Sequence, residues 1–98
     1  MRTFKVDCHK DTKQVLSKNH AAQIIREIES NVVKWTITIF RRTGKYQGKK
    51  EKLNPVTNGS WTKIGFPTSH DVRQFLRDFQ LADALHELIV NKIAHMNQ

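Results

Sequence analysis

Eight cations and one acid share a single 30-residue stretch of the chain. Lys34, Arg41, Arg42, Lys45, Lys49, Lys50, Lys52 and Lys63 lie between positions 34 and 63, with only Glu51 against them. Phe40, Tyr46 and Trp61 are interleaved with these cations. Side chains of these two kinds do complementary work on one ligand class. The cations neutralise phosphates, and the flat rings stack on unpaired bases. Thr36 and Thr38 add hydroxyl donors without crowding the approach.

The clustering says more than the overall charge does. The 98-residue chain holds 17 Lys+Arg and 9 Asp+Glu, for a formal +8. The stretch 34–63 alone contributes +7, residues 1–18 contribute +3, and residues 19–33 and 64–98 each carry −1.

Other chemistries find little support. His9, His20, His70, His86 and His95 form no i, i+4 histidine pair and no metal-ligand spacing. Cys8 is the one cysteine, which excludes a disulfide framework and a cysteine-based zinc site. No glycine-rich phosphate loop or nucleophile elbow occurs. His70, Asp71, Arg73 and Arg77 at a helix start could in principle serve a small ribonuclease, which needs a histidine, an acid and a cation. Capping already accounts for Asp71, however, and an exposed helix face accounts for the arginines. No enzyme, cofactor or metal is therefore expected. Asn58-Gly59-Ser60 matches a glycosylation sequon, but a turn explains it better.

The elements that must position the basic stretch follow from periodicity. Thr3 to Cys8 alternate and predict a short strand. Residues 9–18 are polar and predict a loop. Asn19 as N-cap with Ala21, Ile24, Ile25, Ile28 and Val32 predicts a helix ending near Ser30-Asn31. Val33 to Arg42 is the clearest strand, rich in β-branched and aromatic residues. Gly44 to Gly48 marks a hairpin tip, and Lys49 to Val56 a weak strand. Asn58-Gly59 predicts a tight turn into a strand at 61–66. Thr68 with Asp71 resembles a capping box, with Asp in place of the usual Glu. Val72, Phe75, Leu76, Phe79, Ala82, Leu85, Ile89 and Ile93 then give an amphipathic helix from Ser69 to about Ala94, continuous or bent near Gln80-Leu81.

The expected fold is one α+β domain over residues 1–98. Its order would be β-α-β-β-β-α, with an antiparallel sheet of about four strands and two helices on one face. With Trp35, Ile37, Ile39, Ile64 and Phe66 toward the helices, alternation sends Lys34, Thr36, Thr38, Phe40, Arg42, Trp61 and Lys63 to the open face. Lys50 and Lys52, or Lys49 and Glu51, would join them according to register. Lys45, Tyr46 and Lys49 would project from the tip, beside Arg41.

The run of strand, basic hairpin, strand ending Lys63-Ile64-Gly65-Phe66 and helix covers roughly residues 33–80. It resembles single-strand-binding transcriptional coactivators of the positive-cofactor-four type. It is also similar to the three-stranded arm-binding domains of tyrosine integrases. Either resemblance implies DNA binding by the sheet.

The expected function is nucleic-acid binding, to a single-stranded or distorted form, by a small regulatory or accessory protein of bacterial, plasmid or phage type. The same patch would serve an inhibitor or adaptor with an acidic protein partner. The C-terminal helix could form a homodimer seam or simply cover the sheet. No apolar run reaches the roughly 18 residues of a membrane span and no leader is evident, so a cytoplasmic protein without membrane contact is expected.

Overall fold

A computed structural model describes residues 8–77, 79 and 83–97. Four strands come first, then two helices: β1 (Cys8–Leu16), β2 (His20–Glu29), β3 (Val32–Gln47), β4 (Lys50–Ile64), α1 (Ser69–Arg77) and α2 (Asp83–Met96). The strands form an antiparallel meander in the order β1-β2-β3-β4. This is the expected small α+β domain with a four-stranded sheet, but its element order differs from β-α-β-β-β-α.

The predicted helix at 19–32 is strand β2. Ala21, Ile24, Ile25 and Ile28 satisfy a helical stripe, but β-branched isoleucines also suit a strand, and pairing on both sides decides the outcome. Ala22 and Ile24 face inward opposite Ile39 and Ile37, while Gln23 and Ile25 face outward opposite Thr38 and Thr36. Ser30 and Asn31 have φ of 51° and 67°. Two positive φ values close a two-residue hairpin, where periodicity alone predicts a helix end. The predicted loop at 9–18 is mostly strand β1. As an edge strand with Val15 as its buried residue, it needs few apolar side chains. The predicted strand at 3–8 lies outside the described residues except Cys8.

The core lies between one sheet face and the helices. Val15, Ala22, Ile24, Trp35, Ile37 and Ile39 meet Val72 and Leu76 of α1 and Leu85, Ile89, Ile93 and Met96 of α2. The α2 residues recur at helical spacing, so one stripe is buried. α2 covers β1 and β2, so its apolar stripe packs on its own sheet. α1 ends at Arg77 and α2 begins at Asp83, and the bend expected at Gln80-Leu81 lies outside the described residues.

Two polar contacts fix the helix ends. Thr68 and Asp71 form the reciprocal capping box: the Asp71 amide donates to Thr68 Oγ1 at 3.1 Å, and the Thr68 amide donates to Asp71 Oδ2 at 3.0 Å. Arg26 donates to the Met96 carbonyl at 2.7 Å and lies 5.9 Å from the Trp35 ring centroid. A cation at the last carbonyls of α2 complements its dipole. Among the described residues, no helix is long and apolar enough to cross a membrane.

Candidate nucleic-acid interface

The basic stretch forms an arm. β2 pairs with β3 as far as His20 opposite Arg41, because the chain turns back at Ser17–Asn19. Beyond that point β3 and β4 continue alone, from Arg42 opposite Leu53 to Gln47 opposite Lys50. Among the described residues, no third strand pairs with this ribbon and no helix covers it. At a strand rise of about 3.3 Å per residue it extends roughly 15–20 Å past the sheet, in a molecule whose longest extent is 50 Å.

One buried carboxylate organises the arm. Between Arg42 and Tyr46 the pairing shifts, and Gly44 in this bulge has φ of 73°. Glu51 accepts from Arg42 Nε at 3.0 and 3.2 Å, from the Gly44 amide at 3.0 Å and from the Tyr46 hydroxyl at 3.2 Å. Burial alone would raise the Glu51 carboxyl. The Gly44 amide, the Arg42 guanidinium and the Tyr46 hydroxyl outweigh it and hold the group below its ordinary value. Arg42 also donates to the Ser17 carbonyl at 2.7 Å, tying the arm to the β1–β2 turn. Thr43 Oγ1 donates to the Lys52 carbonyl at 2.7 Å and links the two strands again.

The expected site residues divide into four groups. Arg41, Lys45, Lys49, Lys50 and Lys52 are exposed, and none has an ion-pair partner among the described residues. Arg42 and Tyr46 belong to the arm but are held by Glu51, although Tyr46 remains 58% exposed. Lys34 and Phe40 are on the open face as expected. Lys34 sits at the end away from the arm, 3.9 Å from Glu27, and Phe40 is half-buried at the arm's base, opposite Pro55.

Trp61 and Lys63 are on the helix side, contrary to expectation. Trp61 is opposite Ile37 and stacks on Phe75, with ring centroids 5.8 Å apart. Lys63 is opposite Trp35 and pairs with Asp71. Ile64 therefore takes the open face, where it is 69% exposed. A change of register by an odd number of residues moves every side chain beyond it to the other face. The shift arises at Val56 to Gly59, which oppose Ile39 alone between the pairs Phe40–Pro55 and Thr38–Ser60. Asn58 has φ of 58° as a turn residue would, but Asn58-Gly59 is a bulge inside β4 and reverses nothing.

The open face is consequently neither strongly basic nor aromatic. Thr36 meets Thr62 and Thr38 meets Ser60, each at 3.4 Å between hydroxyl oxygens, and Gln23 and Ile25 lie beside them. The centre of the face shows hydroxyls, an amide and Ile25, Ile64 is exposed toward its far end, and Arg41, Lys45, Lys49, Lys50 and Lys52 stand at or on the arm.

Periodicity and composition do not single out Glu51 as the organiser of the arm. Its one signal in the sequence is that it is the lone acid in a basic hairpin. His20 carries no such signal. Burial and then the Arg41 charge hold its imidazole below the ordinary 6.5, so it adds little charge to the arm near neutral pH. Of the ribonuclease candidate's groups, the Asp71 carboxylate accepts from Lys63 Nζ and from the Thr68 amide. Among the described residues, no group of three or more His, Cys, Asp or Glu is placed to hold a metal ion.

No family model matches the chain, and no curated protein or solved structure matches it either.

Proposed function

We propose that this protein binds nucleic acid through the β3–β4 arm, with Arg41, Lys45, Lys49, Lys50 and Lys52 neutralising backbone phosphates. The observation that carries the reading is the separation of roles along the arm. Its one acid is buried against Arg42 and leaves the surface free of negative charge, while five cations stay in solvent without partners among the described residues. Phosphate contacts of this kind supply affinity and position and carry no sequence information directly.

The binding surface thus differs from the one alternation predicts. Trp61 and Lys63 leave the candidate site, and Lys34 lies at the far end of the sheet. The surface becomes a projecting ribbon, with Phe40 and Tyr46 as the aromatic groups at its base and side.

Fluorescence anisotropy of labelled oligonucleotides with the full chain tests this. Binding at about 50 mM salt should be saturable. For four to five phosphate contacts it should weaken by roughly 10²–10³-fold at about 200 mM. Absence of binding at the lower salt, or a flat salt response, contradicts it. So does purification as a stoichiometric complex with an acidic protein and no affinity for nucleic acid.

A further inference from the structure

We infer that the arm's ligand is the major groove of B-form duplex DNA. This inference rests on the nucleic-acid reading above and specifies which form is bound.

The width of the ribbon matches that groove. Paired strands lie about 4.8 Å apart, so a two-stranded ribbon with its side chains spans roughly 10–12 Å. The major groove of B-DNA is about 12 Å wide and about 8.5 Å deep, and it admits such a ribbon. The minor groove, at about 6 Å, does not. The major groove of A-form RNA is too narrow and deep for side chains to read.

The charges are placed on both strands of the ribbon and at its tip. Lys45 is on one strand of the ribbon, Lys50 and Lys52 are on the other, and Lys49 is in the connecting turn. A groove has phosphates along both walls, and cations on both strands and at the tip meet them together. A single strand offers one backbone and would engage one side of the ribbon.

The aromatic rings near the arm are committed to other contacts. Sequence-tolerant single-strand binding relies on aromatic rings on which successive bases stack. Trp61 is stacked on Phe75, and Phe40 is half-buried at the arm's base. The hydroxyl of Tyr46 is fixed by Glu51 and Arg42. That leaves one tethered ring on the arm and no series of stacking platforms.

Rigidity adds to these. The Arg42–Glu51–Tyr46 network and the Thr43–Lys52 bond hold the ribbon's shape before a ligand arrives, which lowers the ordering cost of binding.

The test titrates the full chain against three equal-length probes at one salt concentration: a DNA duplex, its single strand and an RNA duplex. A dimethyl sulfate footprint on the DNA duplex accompanies it. The expected result is at least tenfold tighter binding to the DNA duplex, with protection of guanine N7, which faces the major groove. Equal binding to all three probes, tighter binding to the single strand, or protection confined to adenine N3 in the minor groove overturns the groove assignment and leaves phosphate binding standing. Absence of binding to any probe at low salt overturns both.

Discussion

Trp61 lies against Phe75 with the two ring planes 20° apart, and this contact joins β4 to α1. It makes Trp61 a structural residue, although it sits among the cations in the sequence. Phe75 in turn meets Phe79 edge-on at 5.1 Å. Trp61→Ala should therefore destabilise the domain by about 2–4 kcal/mol, toward the lower part of the range for large aromatic truncations because Trp61 is only half-buried. Urea unfolding measures this. Binding by the folded fraction should be unchanged, and a loss of affinity at unchanged stability would return Trp61 to the interface.

Gly59 gives a second stability prediction. A Cβ there would come within 2.8 Å of the Val56 carbonyl and 3.1 Å of the Ile39 carbonyl, both backbone atoms. Gly59→Ala should cost about 1–3 kcal/mol through forced backbone displacement. Because this bulge sets the register of β4, amide exchange should quicken across residues 56–64. A neutral substitution would show that the bulge yields without strain and does not pin the register.

Acid stability should report on Asp71. The Lys63 ammonium, followed by the Thr68 amide and hydroxyl, holds its carboxyl at about 2, against an ordinary 3.8. A depressed folded-state value stabilises the fold above the unfolded pKa, and that stabilisation fades as pH falls from about 3.8 toward about 2. Asp71→Asn should lower stability at neutral pH and flatten the decline across that acidic window, as seen in urea midpoints against pH. Thr68→Ala removes the other half of the capping box and should cost about 0.5–2 kcal/mol. Parallel wild-type and Asp71→Asn curves would contradict the pairing.

These residues also show what is legible in the sequence. β3 is marked by Trp35, Ile37 and Ile39, and the start of α1 by Thr68 and Asp71, because strand alternation and capping are local. β2 is not marked, since Ala21, Ile24, Ile25 and Ile28 satisfy either period and only pairing with β1 and β3 chooses between them. β1 is hidden because a polar edge strand resembles a loop. The arm's cations are legible as a cluster. Their separation from Trp61 and Lys63 is not, because it depends on the bulge at Val56 to Gly59, whose effect is felt only in the register against β3. Asn58-Gly59 does signal positive φ at Asn58, but the sequence alone does not distinguish a bulge from a reversal there.

Glu51 offers a test that separates charge from shape. Glu51→Ala raises the net charge by one, so electrostatics alone would strengthen phosphate binding. It also releases Arg42, Tyr46 and the Gly44 amide. Ordering a freed side chain on binding costs about 0.5–1.5 kcal/mol, so affinity for a DNA duplex should fall by roughly 2–10-fold despite the added charge. Tighter binding would mean that the arm acts as a charge cluster whose shape is immaterial.

The most direct test of the central claim is the slope of log K against log salt, for the wild type and for a variant carrying Lys45→Gln, Lys49→Gln, Lys50→Gln and Lys52→Gln. All four positions are exposed, so the variant should unfold at the same urea concentration as the wild type. Removing one cation from a phosphate makes the slope shallower by about 0.9. The arm account predicts a slope shallower by about 3–4 with the fold intact. An unchanged slope in the folded variant would place the phosphate-binding cations elsewhere on the molecule and contradict the account.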